Sequence, residues 1–146
     1  MSARAFWAVL LLTVLLITGC GSLAQQPTQA GFYQTVTESE WGIELALNRD
    51  GSAIVEIASW MPGESENAKV ERHAGTWSAS GATVALRLAA GEVIFTFVRQ
   101  LSFAAFGKEG SAQGLEGRTA TFEPKLFVKR KLWLVSELQK IDWEVD

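Results

Sequence analysis

The chain predicts an all-β domain, a small antiparallel up-and-down barrel of about eight strands. Three observations predict it. Apolar residues recur at period two from Gly31 onward, the pattern of half-buried strands. Turn residues interrupt that pattern at short intervals, and no stretch of the body carries a helical period. Sequential hairpins that close on themselves leave no exposed edge, which favours a barrel. A sandwich of two sheets is the alternative.

The elements follow in order. Trp41, Ile43, Leu45 and Leu47 alternate with Gly42, Glu44, Ala46 and Asn48. Residues 48–51, Asn-Arg-Asp-Gly, form a turn in which Gly51 supplies the positive φ of a hairpin. Residues 52–60 return as a second strand, and residues 61–67 are a loop by composition. Residues 68–74 form a polar strand that 75–78 continue, with Gly75 suited to a bulge or bend. After a turn at 79–81, Val84, Leu86 and Leu88 alternate with Thr83, Ala85 and Arg87. Ala90 and Gly91 turn the chain into a strand over 92–99, with Val93, Phe95 and Phe97 on one face, and residues 101–106 form a further short strand. Residues 107–117 hold glycines at 107, 110, 114 and 117 and read as a mobile loop. Residues 118–122 and 125–135 supply the last strands, separated near Pro124, and 136–146 form a helical turn or two, or a tail.

Ahead of this body, Met1, Ser2, Ala3 and Arg4 make a short basic start, and an apolar run over 5–17 ends at Thr18, Gly19 and Cys20. Basic, then apolar, then small is the layout of a secretory signal peptide. The apolar run of about 13 residues is shorter than the roughly 20 a membrane span needs. Residues 16–20, Leu-Ile-Thr-Gly-Cys, resemble the lipobox of bacterial lipoproteins. That resemblance implies cleavage before Cys20, a diacylglycerol thioether on its sulfur, and an acylated amino group. The residue after Cys20 is Gly21 and not Asp, which by the same resemblance implies the outer membrane, facing the periplasm. The chain then divides into a signal peptide (1–19), lipidated Cys20 with a small and polar tether (20–31), a barrel (32–135) and a C-terminal tail (136–146).

Composition narrows the function classes. Without residues 1–19 the chain keeps 127 residues, 12 Lys and Arg against 16 Asp and Glu, a net charge of −4. That length buries a core without staples, and an acidic balance argues against nucleic acid as a partner. Cys20 is the only cysteine, so no disulfide framework exists.

Three local patterns extend the resemblance. They are Gly31-Phe32-Tyr33, the hairpin 43–51 reading Ile-Glu-Leu-Ala-Leu-Asn-Arg-Asp-Gly, and Gly75-Thr76-Trp77 followed by Val84-Ala85-Leu86. Their order resembles the lipocalin-like N-terminal barrel of the NlpE family of copper-resistance lipoproteins, over roughly residues 31–106. That family often carries a Cys-x-x-Cys pair near the first strand, where this chain reads Thr-Val-Thr-Glu-Ser-Glu-Trp over 35–41. The resemblance therefore implies fold and address, without copper or thiol chemistry.

Catalytic and metal signatures are sparse. His73, the single histidine, shares a strand face with Glu71, but metal sites need three or four ligands in fixed geometry. A solvated strand face is the favoured reading. No G-x-S-x-G elbow is present. The pairs Glu38 with Glu40 and Glu64 with Glu66 lack the spacing of a calcium loop and read as solvated loops. Neither a catalytic residue, a metal ligand nor a cofactor other than the lipid on Cys20 is expected. Lys129, Arg130 and Lys131 interrupt an apolar stretch. They either meet anionic lipid or a polyanion, or protect an edge strand, the latter being favoured. Trp143, in an acidic tail, either docks the tail across a barrel mouth or anchors a partner.

The leading expectation is a non-enzymatic envelope accessory or stress-related interaction module, held at the membrane by its lipid and contacting an envelope protein. The alternative is a carrier of a small apolar ligand. A module predicts a packed interior and an exposed apolar patch; a carrier predicts an apolar pocket of several hundred Å³. An enzyme is the third reading, and a Glu71–His73 pair facing a deep cleft would favour it.

Overall fold

Eight strands pair antiparallel in chain order, and the last closes on the first, in a computed structural model that describes residues 28–37, 39–63, 68–121 and 127–143. The strands are β1 (Gly31–Gln34), β2 (Trp41–Leu47), β3 (Ser52–Ser59), β4 (Lys69–Ser80), β5 (Thr83–Leu88), β6 (Gly91–Ala105), β7 (Lys108–Ala120) and β8 (Lys131–Leu134). One helical turn follows, α1 (Val135–Leu138). The architecture is the expected up-and-down barrel, and the sandwich is set aside. Residues 1–19, Cys20 and most of the tether lie outside the described residues, as do 64–67, 122–126 and 144–146.

The first hairpin forms as its alternation predicts. Ile43, Leu45 and Leu47 on β2 lie opposite Ile57, Val55 and Ala53 on β3, and all six are buried. Directly opposite residues point to one side of a sheet, so this side is the barrel interior. Gly51 turns the chain at φ +87°, and its N–H donates to the Asn48 carbonyl at 3.0 Å. The Asp50 carboxylate accepts the Ser52 N–H at 2.9 Å and the Ser52 hydroxyl at 2.6 Å, which holds its carboxyl below the usual range.

Gly75 does not mark a bulge. The β3–β4 register runs unbroken past it, and Gly75 pairs with Leu88 where β5 ends. A Cβ there would lie 2.1 Å from the Arg87 carbonyl oxygen, so close approach of β5 is what requires glycine.

The second half of the chain departs further from expectation. The segments read as two strands, 92–99 and 101–106, are one strand, β6, and the expected loop 107–117 is most of β7. The turn between them is two residues, Phe106 and Gly107, at φ +53° and +74°. Two successive positive φ values are the hairpin geometry that matches strand twist. The remaining glycines of that stretch mark crowding. A Cβ at Gly110, Gly114 or Gly117 would meet the Phe103 ring at 2.9 Å, the Leu132 carbonyl at 2.4 Å or the Phe127 carbonyl at 1.7 Å. The expected strand over 125–135 shortens to β8, because Lys129 takes φ +59° in a tight turn after Phe127.

A bulge then splits the apolar surface in two. Val98 pairs with Gly114 and Leu101 with Ala112, so Arg99 and Gln100 stand against the single residue Gln113. One extra residue reverses the face a strand presents. Val93, Phe95 and Phe97 therefore join the barrel interior, while Leu101 and Phe103 pack on the outside. There they meet Trp133, whose cross-strand partner Gln34 is in turn opposite the exposed Glu44. Leu138, Ile141 and Trp143 complete this satellite core against the outer wall.

Side chains fill the interior. Tyr33, Leu45, Val55, Leu86, Phe95 and Leu115 are at most 1% exposed, and Phe127 closes over Phe95 edge to face at 6.0 Å. The Tyr33 hydroxyl donates to the Gln29 carbonyl at 2.6 Å, and the Gln29 amide reaches the Gly81 carbonyl at 2.9 Å. Burial raises the Tyr33 phenol well above its ordinary 10.0, and the Glu137 carboxylate adds to the rise. A pKa raised on folding contributes stability that is complete below the unfolded value and is lost as pH climbs past it. The barrel should therefore lose stability from about pH 10 upward. Tyr33 is the single tyrosine, so tyrosinate absorbance and circular dichroism can be followed together. Tyr33→Phe should lessen the alkaline loss, and an unchanged alkaline profile would contradict this role.

Candidate functional site

Two hollows on the outer wall share one partition, residues 35–37 between β1 and β2. Thr35 fastens that partition: its N–H donates to the Ile43 carbonyl and its hydroxyl accepts the Ile43 N–H, both at 3.1 Å. The segment thus follows β2 after β1 has parted from β8, whose pairing with β1 ends at Gln34 and Trp133.

The larger hollow, about 470 Å³, is lined by residues 35–37 with Phe106, Leu138 and Trp143. Trp143 does not lie across a barrel mouth. Its ring rests on Phe103 at 5.4 Å and meets Phe106 at 6.3 Å, and its indole N–H donates to the Leu138 carbonyl at 3.2 Å. Phe106 is 49% exposed in a backbone region that bulky residues rarely occupy. The hairpin tip therefore presents an aromatic edge beside a fixed tryptophan.

The smaller hollow, about 220 Å³, lies between residues 35–37 and the start of β8, and Lys129, Arg130 and Lys131 line it with Trp41 and Trp133. Of the three cations expected to protect an edge, Lys129 and Arg130 precede the strand, whereas Lys131 begins β8 and pairs with Glu116 of β7 beyond the point where the β1–β8 pairing ends at Trp133. Their positions follow from the turn: the Lys129 N–H donates to the Gly117 carbonyl at 3.0 Å and the Gly117 N–H to the Arg130 carbonyl at 2.8 Å. The Arg130 guanidinium lies 4.2 Å from the centre of the Trp41 ring, a cation–π contact that bridges β8 to β2 across the seam. Trp41 also borders a third groove, about 350 Å³, with Trp60, Val70 and Gly42.

Glu71 and His73 occupy the barrel-facing side of β4, opposite Ile57 and Val55, beyond the point where β5 stops. Their side chains are 3.8 Å apart and 51% and 30% exposed. Neither Glu71 nor His73 lines any of the three hollows above. Among the described residues no group of three or more His, Cys, Asp and Glu is placed to hold a metal. Glu40 is exposed, whereas Glu38, Glu64, Glu66 and Cys20 lie outside the described residues.

Sequence reasoning singled out Trp143 and residues 129–131 but did not join them. The structure sets them on either side of one three-residue partition. Phe106 and residues 35–37 were missed. The signal for Phe106 was an X-Gly pair with strand pattern on both sides, a hairpin mark that the glycines after it obscured.

Comparison of the chain with family models, with curated proteins and with solved structures gives no match.

Proposed function

We propose that this chain is a lipid-anchored β-barrel lipoprotein facing the periplasm from the outer membrane. It acts without catalysis, as an envelope accessory or stress-related interaction module. Its membrane attachment is the lipid on Cys20, and its contact with an envelope protein is made through the paired hollows around residues 35–37. The observation that carries the contact reading is the aromatic edge of Phe106 and Trp143 held beside the cationic hollow of residues 129–131. Trp and Arg are the residues in which binding energy concentrates at interfaces. The filled interior favours this reading over a carrier with its ligand inside the barrel.

Two experiments test the halves of the proposal. Cys20→Ser should abolish incorporation of a fatty-acid label and release the chain from the membrane fraction or leave it unprocessed. Unaltered membrane attachment would end the lipoprotein reading. Photo-crosslinkers placed at Trp143 and Lys131 should capture the same envelope protein in living cells, and one at Arg87 should capture none. Equal capture from all three positions would remove the hollows as the contact surface.

A further inference from the structure

Barrel closure leaves one stretch of strand edge without charge. β5 accompanies β6 only as far as Thr96, with one more bond from the Phe97 N–H to the Ala82 carbonyl. Beyond Phe97 the described residues place no strand on that side of β6. On the opposite edge of the same hairpin the Glu137 carboxylate accepts the Gln113 N–H at 2.6 Å, and Lys108 and Glu109 place charge beside the turn. The part of β4 that outruns β5 carries Lys69, Glu71, Arg72 and His73, the charged dressing that discourages pairing. From Gln100 to Phe106, β6 and its turn read Gln-Leu-Ser-Phe-Ala-Ala-Phe, without a charge.

The backbone groups of that edge can be assigned. A two-residue turn makes its flanking pair, Ala105 and Lys108, a hydrogen-bonded pair. Hydrogen-bonded and non-hydrogen-bonded pairs alternate along an antiparallel ladder. Phe103 with Gly110 and Leu101 with Ala112 then bond across to β7, and Ser102 and Ala104 direct their N–H and C=O groups away from it. Both residues are exposed.

We propose that this edge pairs with the same edge of a second copy of the chain, antiparallel and centred on Ser102. A two-fold axis there sets Ser102 against its own copy and Gln100 against Ala104, so the outward-directed backbone groups meet one another. Leu101 falls opposite Phe103 on the satellite-core side, and Arg99 opposite Ala105, so no charge faces a like charge. Self-complementary two-fold contacts are the commonest route to a dimer.

The test uses the full chain in its own membranes. Ser102→Cys, on mild oxidation, should give a disulfide-linked species of twice the chain mass, because the axis brings the two cysteines together. Ser111→Cys, on the neighbouring strand, should give none. Ala104→Pro removes an N–H that points to the open edge, a substitution edge strands accept, and should reduce the Ser102→Cys product to the level of the unsubstituted chain. Native mass spectrometry of the unsubstituted chain in a non-ionic detergent supplies a readout independent of any variant, and should show two chains. A single-chain mass there, or a disulfide product unaffected by Ala104→Pro, overturns the proposal. A Ser102→Cys product containing a different protein also overturns it, and assigns the edge to that protein's strand.

Discussion

Valine at position 117 should cost the barrel a large share of its stability. A Cβ at Gly117 would lie 1.7 Å from the Phe127 carbonyl oxygen and 2.8 Å from its carbon. Neither can retreat freely, because Gly117 also exchanges backbone hydrogen bonds with Lys129 and Arg130, at 3.0 and 2.8 Å. The turn must lift, and with it Phe127, whose ring is fully buried against Phe95. Unseating a phenyl ring from a core costs about 3–5 kcal/mol by analogy with Phe→Ala substitutions, against about 5–15 kcal/mol for a whole domain. Urea denaturation checks this. Phe127→Ala should lower the midpoint substantially, and Gly117→Val should lower it at least as far because it also breaks the turn. A midpoint near the unsubstituted one for Gly117→Val would mean that the turn does not sit on β7.

This case shows where the sequence was legible and where it was not. The first hairpin could be read because one face is buried and the other wet, so period two survives in the residue order from Trp41 to Ser59. The glycines after Phe106 misled because glycine is depleted in strands and enriched in loops. At 114 and 117 it is required instead by carbonyl groups of chain much later in sequence, Leu132 and Phe127. No local pattern announces a neighbour that far away. The bulge at Arg99 and Gln100 hid a second fact. Phe97 and Leu101 are four residues apart, an even spacing that reads as one face, yet the extra residue puts them in different cores.

The candidate site was legible only in fragments. An acidic tail holding a tryptophan and a basic run beside apolar residues each stood out by type. That both face residues 35–37 depends on β8 closing against β1, a pairing between nearly opposite ends of the chain. The basic run was read as edge protection on the premise of an open sheet edge. Closure covers β8 only at Trp133 and Leu134, so Lys131 keeps an open side toward residues 35–37, and the three cations wall the hollow there.

The satellite core provides the second large effect, and it should be local. Trp133 is 6% exposed, meets the Phe103 ring edge to face at 6.1 Å, and donates its indole N–H to the Leu101 carbonyl at 2.8 Å. It is absent from the interior cluster that holds the barrel together. Trp133→Ala should therefore remove about 3–5 kcal/mol from the contact between the hairpin and the outer wall and leave the interior packing in place. Hydrogen exchange distinguishes local from global loss, since cooperative units open at their own free energies. Amides of residues 101–112 and of α1 should lose protection, while those of β2 and β3 keep it. Trp133→Phe retains a ring and removes only the indole donor to the Leu101 carbonyl, which keeps its ladder partner on β7, and should lose only about 1 kcal/mol. If β2 and β3 open together with the hairpin in Trp133→Ala, the two clusters form one cooperative unit. If they do not, the aromatic edge of Phe106 and Trp143 is a platform that can loosen on its own, and crosslinking from Trp143 should fail in that variant while the barrel stays folded.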